Sequence, residues 1–200
     1  MVLGVALAVT VAGCSALFQA AGALQNLKRL TFRLDKVRDV RLAGVALGNK
    51  SSLQQFSVLD AARLLEAFRR GSLPAELVLE VAAVNPNDGS GGSSRTTSTL
   101  TALDGRLLID GKPTVKADIE RAIEIPGTGQ ATLVPIRLSL DLYEFFGEKR
   151  YEDLVNLALA LGGLRRDLTR VSIDARPRVT TPLGDITWPG RITIVEKEFR

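Results

Sequence analysis

The chain has no histidine and a single cysteine, Cys14, in 200 residues. Without histidine there is no Ser-His-Asp or Cys-His nucleophile pair, and the commonest transition-metal ligand is missing. One cysteine permits neither an internal disulfide nor a cysteine-based zinc site. Aromatic residues are scarce too, with seven Phe, two Tyr and one Trp. The 26 Lys and Arg against 22 Asp and Glu are scattered, with no basic block longer than two residues. That pattern describes a solvated surface and lacks the interleaved cations and aromatics on which bases stack, so nucleic acid is not an expected partner. What is abundant is apolar residue, 46% of the chain, enough for one well-filled core at this length.

The first segment is the most directional. Residues 1–13, MVLGVALAVTVAG, are apolar except for Thr10, the length of a signal-peptide hydrophobic region and short of the ~20 residues of a membrane span. They end in Val11-Ala12-Gly13-Cys14. This resembles the lipobox of bacterial lipoproteins, in which small residues admit the scissile backbone to a peptidase and the cysteine thiolate takes the diacylglyceryl group. The resemblance implies lipidation of Cys14, removal of residues 1–13, and a mature protein held on a membrane through its acyl chains. Ser15 after the cysteine implies the periplasmic face of the outer membrane in a cell that has one. The alternative is a transmembrane anchor over residues 2–24, since the apolar stretch continues to Leu24. Lys28 and Arg29 follow that stretch and no charge precedes it, which would leave the folded part in the cytoplasm. A start codon assigned too late would account for the missing leading charge.

Beyond a tether at residues 14–26, residues 27–200 read as one β-rich domain. Apolar and polar residues alternate in Leu30–Asp35, Leu77–Ala83, Thr99–Asp110, Thr114–Ile125, Leu133–Leu142, Arg170–Val179 and Arg191–Phe199, the period of half-buried strands. Between them lie Asn85-Pro86-Asn87-Asp88-Gly89, Gly111-Lys112-Pro113 and Pro126-Gly127-Thr128-Gly129, whose turn chemistry favours antiparallel hairpins. The expected fold is mainly β, an antiparallel immunoglobulin- or fibronectin III-like sandwich with two added α-helices. Its core is expected to take Leu79, Val81, Leu107, Ile109, Ile119, Val134, Ile136, Leu138, Val171 and Ile173. The first helix is expected over Ala61–Arg70 with Asp60 as N-cap and Gly71 as stop; the second runs from Tyr143 or Glu152 to Leu161. Leu64, Leu65 and Phe68 share one face of the first, and Leu154, Leu157 and Leu161 one side of the second. These six either close the core or line a site for an apolar ligand.

Two weaker signals are set aside. Gly44-Val45-Ala46-Leu47-Gly48-Asn49-Lys50-Ser51 approaches a phosphate-binding loop, but Asn49 separates the second glycine from the lysine, so the amides and the ammonium would not converge. Nucleotide is not an expected ligand, and no cofactor is implied. Asp104, Asp110, Asp118 and Glu120 sit beside turns or on outward strand positions, and no spacing marks a catalytic pair among them.

From Leu77 onward the order of features resembles the late embryogenesis abundant type 2 family, also called the water stress and hypersensitive response domain. The resemblance rests on a strand running into Asn85-Pro86-Asn87, then Leu103-Asp104-Gly105-Arg106-Leu107-Leu108-Ile109-Asp110-Gly111, Ile125-Pro126-Gly127-Thr128-Gly129, Val134-Pro135-Ile136 and a closing Thr181-Pro182-Leu183-Gly184. It implies a non-enzymatic stress-protective or binding domain with no catalytic residues, whose partner is a lipid or another envelope protein. The helices are additions to the family pattern. Binding or transfer of a hydrophobic ligand and an uncharacterised hydrolase are the competing readings.

Overall fold

The computed structural model describes residues 25–48, 50–91, 95–162, 171–181 and 184–195. The lipobox positions Val11, Ala12, Gly13 and Cys14 and the candidate anchor at residues 2–24 lie outside the described residues. After a helical turn at residues 25–28 the strands are β1 (Thr31–Leu42), β2 (Val45–Ala46), β3 (Pro74–Val84), β4 (Ser98–Ala102), β5 (Gly105–Ile109), β6 (Lys112–Ala117), β7 (Ile123–Ile125) and β8 (Ala131–Asp141). They continue with β9 (Val171–Ala175), β10 (Arg178–Thr181), β11 (Gly184–Thr187) and β12 (Ile192–Val195). Helix α1 (Val58–Arg69) follows a 3-10 turn at Leu53–Gln55, and α2 (Leu142–Phe146) and α3 (Tyr151–Leu161) follow β8. The fold is mainly β, and the pairings between these strands are antiparallel, consistent with a sandwich with added helices.

The first sheet has the order β2-β1-β3-β8. Its centre, β3, pairs with β8 without interruption from Pro74↔Asp141 to Val84↔Ala131. Alternation places Leu77, Leu79 and Val81 inward, but Val78 and Ala82 on the opposite face are also buried, because neighbours flank β3 on both sides. Strand β1 keeps its register with β3 only through two irregularities, between Leu34 and Lys36 and between Arg38 and Arg41, the second containing Asp39 at φ 55°.

The remaining strands form two sheets with matching orders, β11-β10-β4-β7 and β12-β9-β5-β6. Each strand of one leads by a short link into its counterpart in the other, so the two sheets are halves of one layer folded along a crease. The expected strands Thr99–Asp110 and Thr114–Ile125 are each divided at this line, a correction whose cause is local. Asp104 takes φ 40°, which ends the ladder, and the Asp118 carboxylate accepts hydrogen bonds from the amides of Leu103 at 2.7 Å and Ile119 at 2.8 Å. Arg176 bridges the same line, donating from its amide to the Leu103 carbonyl at 2.9 Å and from Nε to the Trp188 carbonyl at 2.9 Å.

One contiguous core joins the layers, with Leu34 and Leu42 of β1, Leu79 and Val81 of β3, Leu107 and Ile109 of β5, Val134 and Ile136 of β8 and Ile173 of β9. Leu138 is buried with them, while Ile119 and Val171 are only half-buried. The expected second helix is two: Gly147 and the turn at Glu148–Arg150 separate α2 from α3. The N-cap of α1 is Ser57, three residues before the expected Asp60; its hydroxyl accepts from the Asp60 amide at 3.1 Å.

The exit of β3 is tied by a buried amide knot. Asn85 and Asn87 are fully buried. Asn85 Nδ2 donates to the carbonyls of Thr96 at 2.8 Å and Ile125 at 3.0 Å, and its Oδ1 accepts from the Asn87 amide at 3.1 Å and from Asn87 Nδ2 at 2.8 Å. All four hydrogen bonds that an asparagine side chain can make are made. Asn87 Nδ2 also donates to the Asn26 carbonyl at 2.9 Å, fixing the entry of the chain, and the Gly129 amide donates to the Asn85 carbonyl at 2.9 Å.

Gly127 completes the knot: a Cβ there would lie 2.2 Å from the Asn87 carbonyl oxygen and 2.5 Å from that of Thr96. Gly127→Ala is therefore expected to destabilise the domain by about 3 kcal/mol, the upper range of overpacking. Gly129→Ala, at φ 70° with open space around the new Cβ, should cost only about 1–2 kcal/mol of backbone strain. Urea denaturation midpoints of the two variants test the order.

Candidate functional site

The helices gather at the end of the first sheet where β1 finishes and β3 begins, opposite the amide knot. Asp141, last residue of β8, organises this cap. Its Oδ1 accepts from the amides of Leu73 at 2.7 Å and Tyr143 at 2.9 Å, and its Oδ2 accepts from the Ser72 hydroxyl at 2.6 Å. One carboxylate thus caps α2 and holds the chain that enters β3 from α1.

Of the six helix-face residues named from sequence, Leu64, Leu154, Leu157 and Leu161 are buried in the common core, with Leu64 and Leu154 at 0% exposure. Phe68 is half-buried against that core, and Leu65 is half-buried. Phe68 is the meeting point of α1 with the other helices: its ring stands edge-on to Tyr143 and to Tyr151, both with centroids at 5.5 Å. Burial, with the nearby Glu152 carboxylate second, pushes the Tyr151 phenol above its ordinary pKa. Helix α3 buries nearly its whole circumference from Leu154 to Leu161, which explains a sequence poorer in polar residues than a surface helix. Sequence reasoning missed Tyr143 and Tyr151, although the two tyrosines of the chain fall eight positions apart around α2 and α3.

Several charged side chains elsewhere are paired. Glu80, at the centre of the first sheet with 10% of its side chain exposed, takes the Arg38 guanidinium and lies 3.2 Å from Lys36 Nζ. The Arg38 hydrogen bond, opposed by burial and aided by Lys36, holds its carboxyl below the usual range. Asp174 carries Arg106 at 2.7 Å and Arg191 at 3.1 Å; burial works against its ionisation, but the two guanidiniums outweigh it and its pKa is lowered. Asp104 and Asp118 belong to the crease, Glu120 pairs with Arg137 at 3.1 Å, and Asp110 forms with Gly111 the tight turn between β5 and β6, both at positive φ. The near phosphate loop is likewise structural: Ala43-Gly44 turn β1 into β2, and Lys50 Nζ donates to the Ala46 carbonyl at 3.4 Å. Among the described residues no group of three His, Cys, Asp or Glu is placed to hold a metal, and no helix is long and apolar enough to cross a membrane.

Two outcomes follow from the cap. Leu154→Ala is expected to cost about 2–5 kcal/mol, while Leu65→Ala should cost clearly less, as thermal denaturation can compare. At Asp141 burial favours the neutral acid, but the Ser72 hydroxyl and the amides of Leu73, Tyr143 and Glu144 prevail and lower its pKa. A folded pKa below the unfolded one contributes stability that is complete above about pH 4 and is lost as pH falls through the folded value. Asp141→Asn should accordingly flatten the acid side of the stability profile relative to the parent, read by denaturant titrations between about pH 2 and pH 6.

No family model matches the chain, and no curated protein matches it. Among solved structures, it aligns with a crystal structure of a protein from Archaeoglobus fulgidus at 10% identity and a TM-score of 0.33, covering 83% of this chain and 99% of that one.

Proposed function

We propose that the chain is a non-enzymatic, lipid-anchored envelope protein whose head is a domain of the late embryogenesis abundant type 2, or water stress and hypersensitive response, kind. It acts by protection or binding, without turnover. The observation that supports the family reading is the amide knot. Asn85-Pro86-Asn87 and Ile125-Pro126-Gly127-Thr128-Gly129, each a common turn by itself, meet in one buried network across a separation of 40 residues. They are parts of one structural device, so their order along the chain carries more weight than either does alone. The anchor rests on Val11-Ala12-Gly13-Cys14.

Protection or surface binding is favoured over enclosure of a lipid within the helical cap. Leu64, Leu154 and Leu161, which would line such an enclosure, are packed into the same core as the sheets. Hydrolysis is disfavoured because the carboxylates of Glu80, Asp174 and Asp141 are engaged in ion pairs and backbone capping.

The anchor is tested by mass spectrometry of the protein extracted from membranes. The mature chain is expected to begin at Cys14 and carry acyl mass, and Cys14→Ser should move the protein into the soluble fraction or leave it unprocessed. A mature chain that still begins at Met1 without acyl mass would overturn the reading.

A further inference from the structure

Helix α1 faces the core with Leu64 and Ala67, yet its first turn turns two aliphatic side chains to solvent. Val58 is 89% exposed and Leu59 60%, the two most exposed large apolar residues among those described. Neither is a frayed end. Ser57 caps the turn through the Asp60 amide at 3.1 Å, and the Ala61 amide closes on the Ser57 carbonyl at 2.9 Å. The loop before it is folded back as well: the Ser51 amide donates to Gln55 Oε1 at 2.6 Å, and Lys50 Nζ stands 5.6 Å from the centroid of the Phe56 ring. A preorganised tip therefore presents adjacent aliphatic side chains that no packing within the domain requires.

Around the tip stand two cations, Lys50 and Arg63, and one carboxylate, Asp60. Leu59 and Arg63 are four positions apart and share a side of the helix. Arg63 is exposed and is not in ion-pair contact with Asp60 or Glu66, each three positions away, and Lys50, over the Phe56 ring, has the Ala46 carbonyl as its hydrogen-bond partner. Of the acidic residues of α1, Glu66 pairs with Arg70 at 3.2 Å, and Asp60, half-buried in the first turn, is the carboxylate that the two cations outnumber. Exposed aliphatic side chains with a net excess of cations beside them are the chemistry that enters the interface of an anionic bilayer, with hydrocarbon below the headgroups and ammonium or guanidinium at their level.

We propose that the N-terminal turn of α1 is a peripheral membrane contact for anionic phospholipid bilayers, with Val58 and Leu59 inserting and Lys50 and Arg63 meeting the headgroups. This goes beyond the anchor reading and does not depend on acylation. The domain then has two places of attachment, the tether at the amide knot and this tip in the helical cap. The length of β3 between those ends is about 35 Å, so a domain engaging both would lie along its membrane.

The test uses the full chain carrying Cys14→Ser, in which Leu59→Cys leaves one thiol for a polarity-sensitive fluorophore. Circular dichroism checks the fold. With vesicles of phosphatidylglycerol, the label at position 59 is expected to shift to the blue and to be quenched by lipids brominated along their chains. A label at Thr187→Cys, on the exposed strand β11, should keep its emission in water. Adding Lys50→Glu and Arg63→Glu should weaken vesicle-dependent quenching at position 59 at least tenfold, as should phosphatidylcholine in place of phosphatidylglycerol. A label at 59 that bromolipid never quenches, whether it stays in water or is shielded only by a second protein, overturns the proposal. Quenching indifferent to charge reversal and to lipid charge overturns it as well. Because position 59 is read directly, insertion of the apolar N-terminus cannot imitate the result, and the state of Cys14 is measured separately by mass.

Discussion

Three segments far apart in the sequence are held by one buried amide. Asn85 spends both side-chain donors on carbonyls of the loop before β4 and of the end of β7, and both acceptor positions on Asn87. In a mostly aliphatic core, the fully paired Asn85 side chain contributes more to uniqueness than to net stability, since leaving either carbonyl without its donor would cost about 1–3 kcal/mol. The register of the sheets follows from it. Val84 must stand opposite Ala131, and Ser98 opposite Ile125, for these groups to meet, and Gly127 is the residue that lets the backbones approach closely enough.

At the other end of the same strands the constraint is a carboxylate. Asp141 answers three donors that a helix start and a strand entry would otherwise leave to solvent, and with Phe68 set between Tyr143 and Tyr151 it turns three short helices into a lid on the core. The two ends use different physics. The knot is neutral and insensitive to pH, whereas the cap depends on an ionised group and loosens in acid.

Much of this was legible in the sequence where one period dominated. The alternation in β8 gave Val134, Ile136 and Leu138 to the core, and the turn residues around Asp110-Gly111 and Pro126–Gly129 located the reversals. The crease was not legible, because alternation continues through Leu103 and Leu107 across a backbone that takes positive φ in that stretch only at Asp104. Nor was the true cap of α1. Ser57 and Asp60 are both good capping residues, and starting at Ser57 leaves Val58 and Leu59 outside, an outcome that a rule burying aliphatic residues rejects. For Leu64 and Leu154 the pattern announced burial but not against what, since a ligand and a neighbouring strand offer a leucine the same relief from water.

Strand β12 ends the described chain and is also part of its foundation. It pairs with β9 and runs beside β1, and Trp188 just before it meets the edge of Phe32, so β1 and β12 are neighbours. Synthesis from the N-terminus leaves β1 without that neighbour until Ile192–Val195 have been made. Contacts of such sequence separation are slow to form, and partial chains expose the apolar face they are meant to cover. The pairing of β1 with its β12 neighbour is thus a late event, and loss of β12 would take away part of the support of β1.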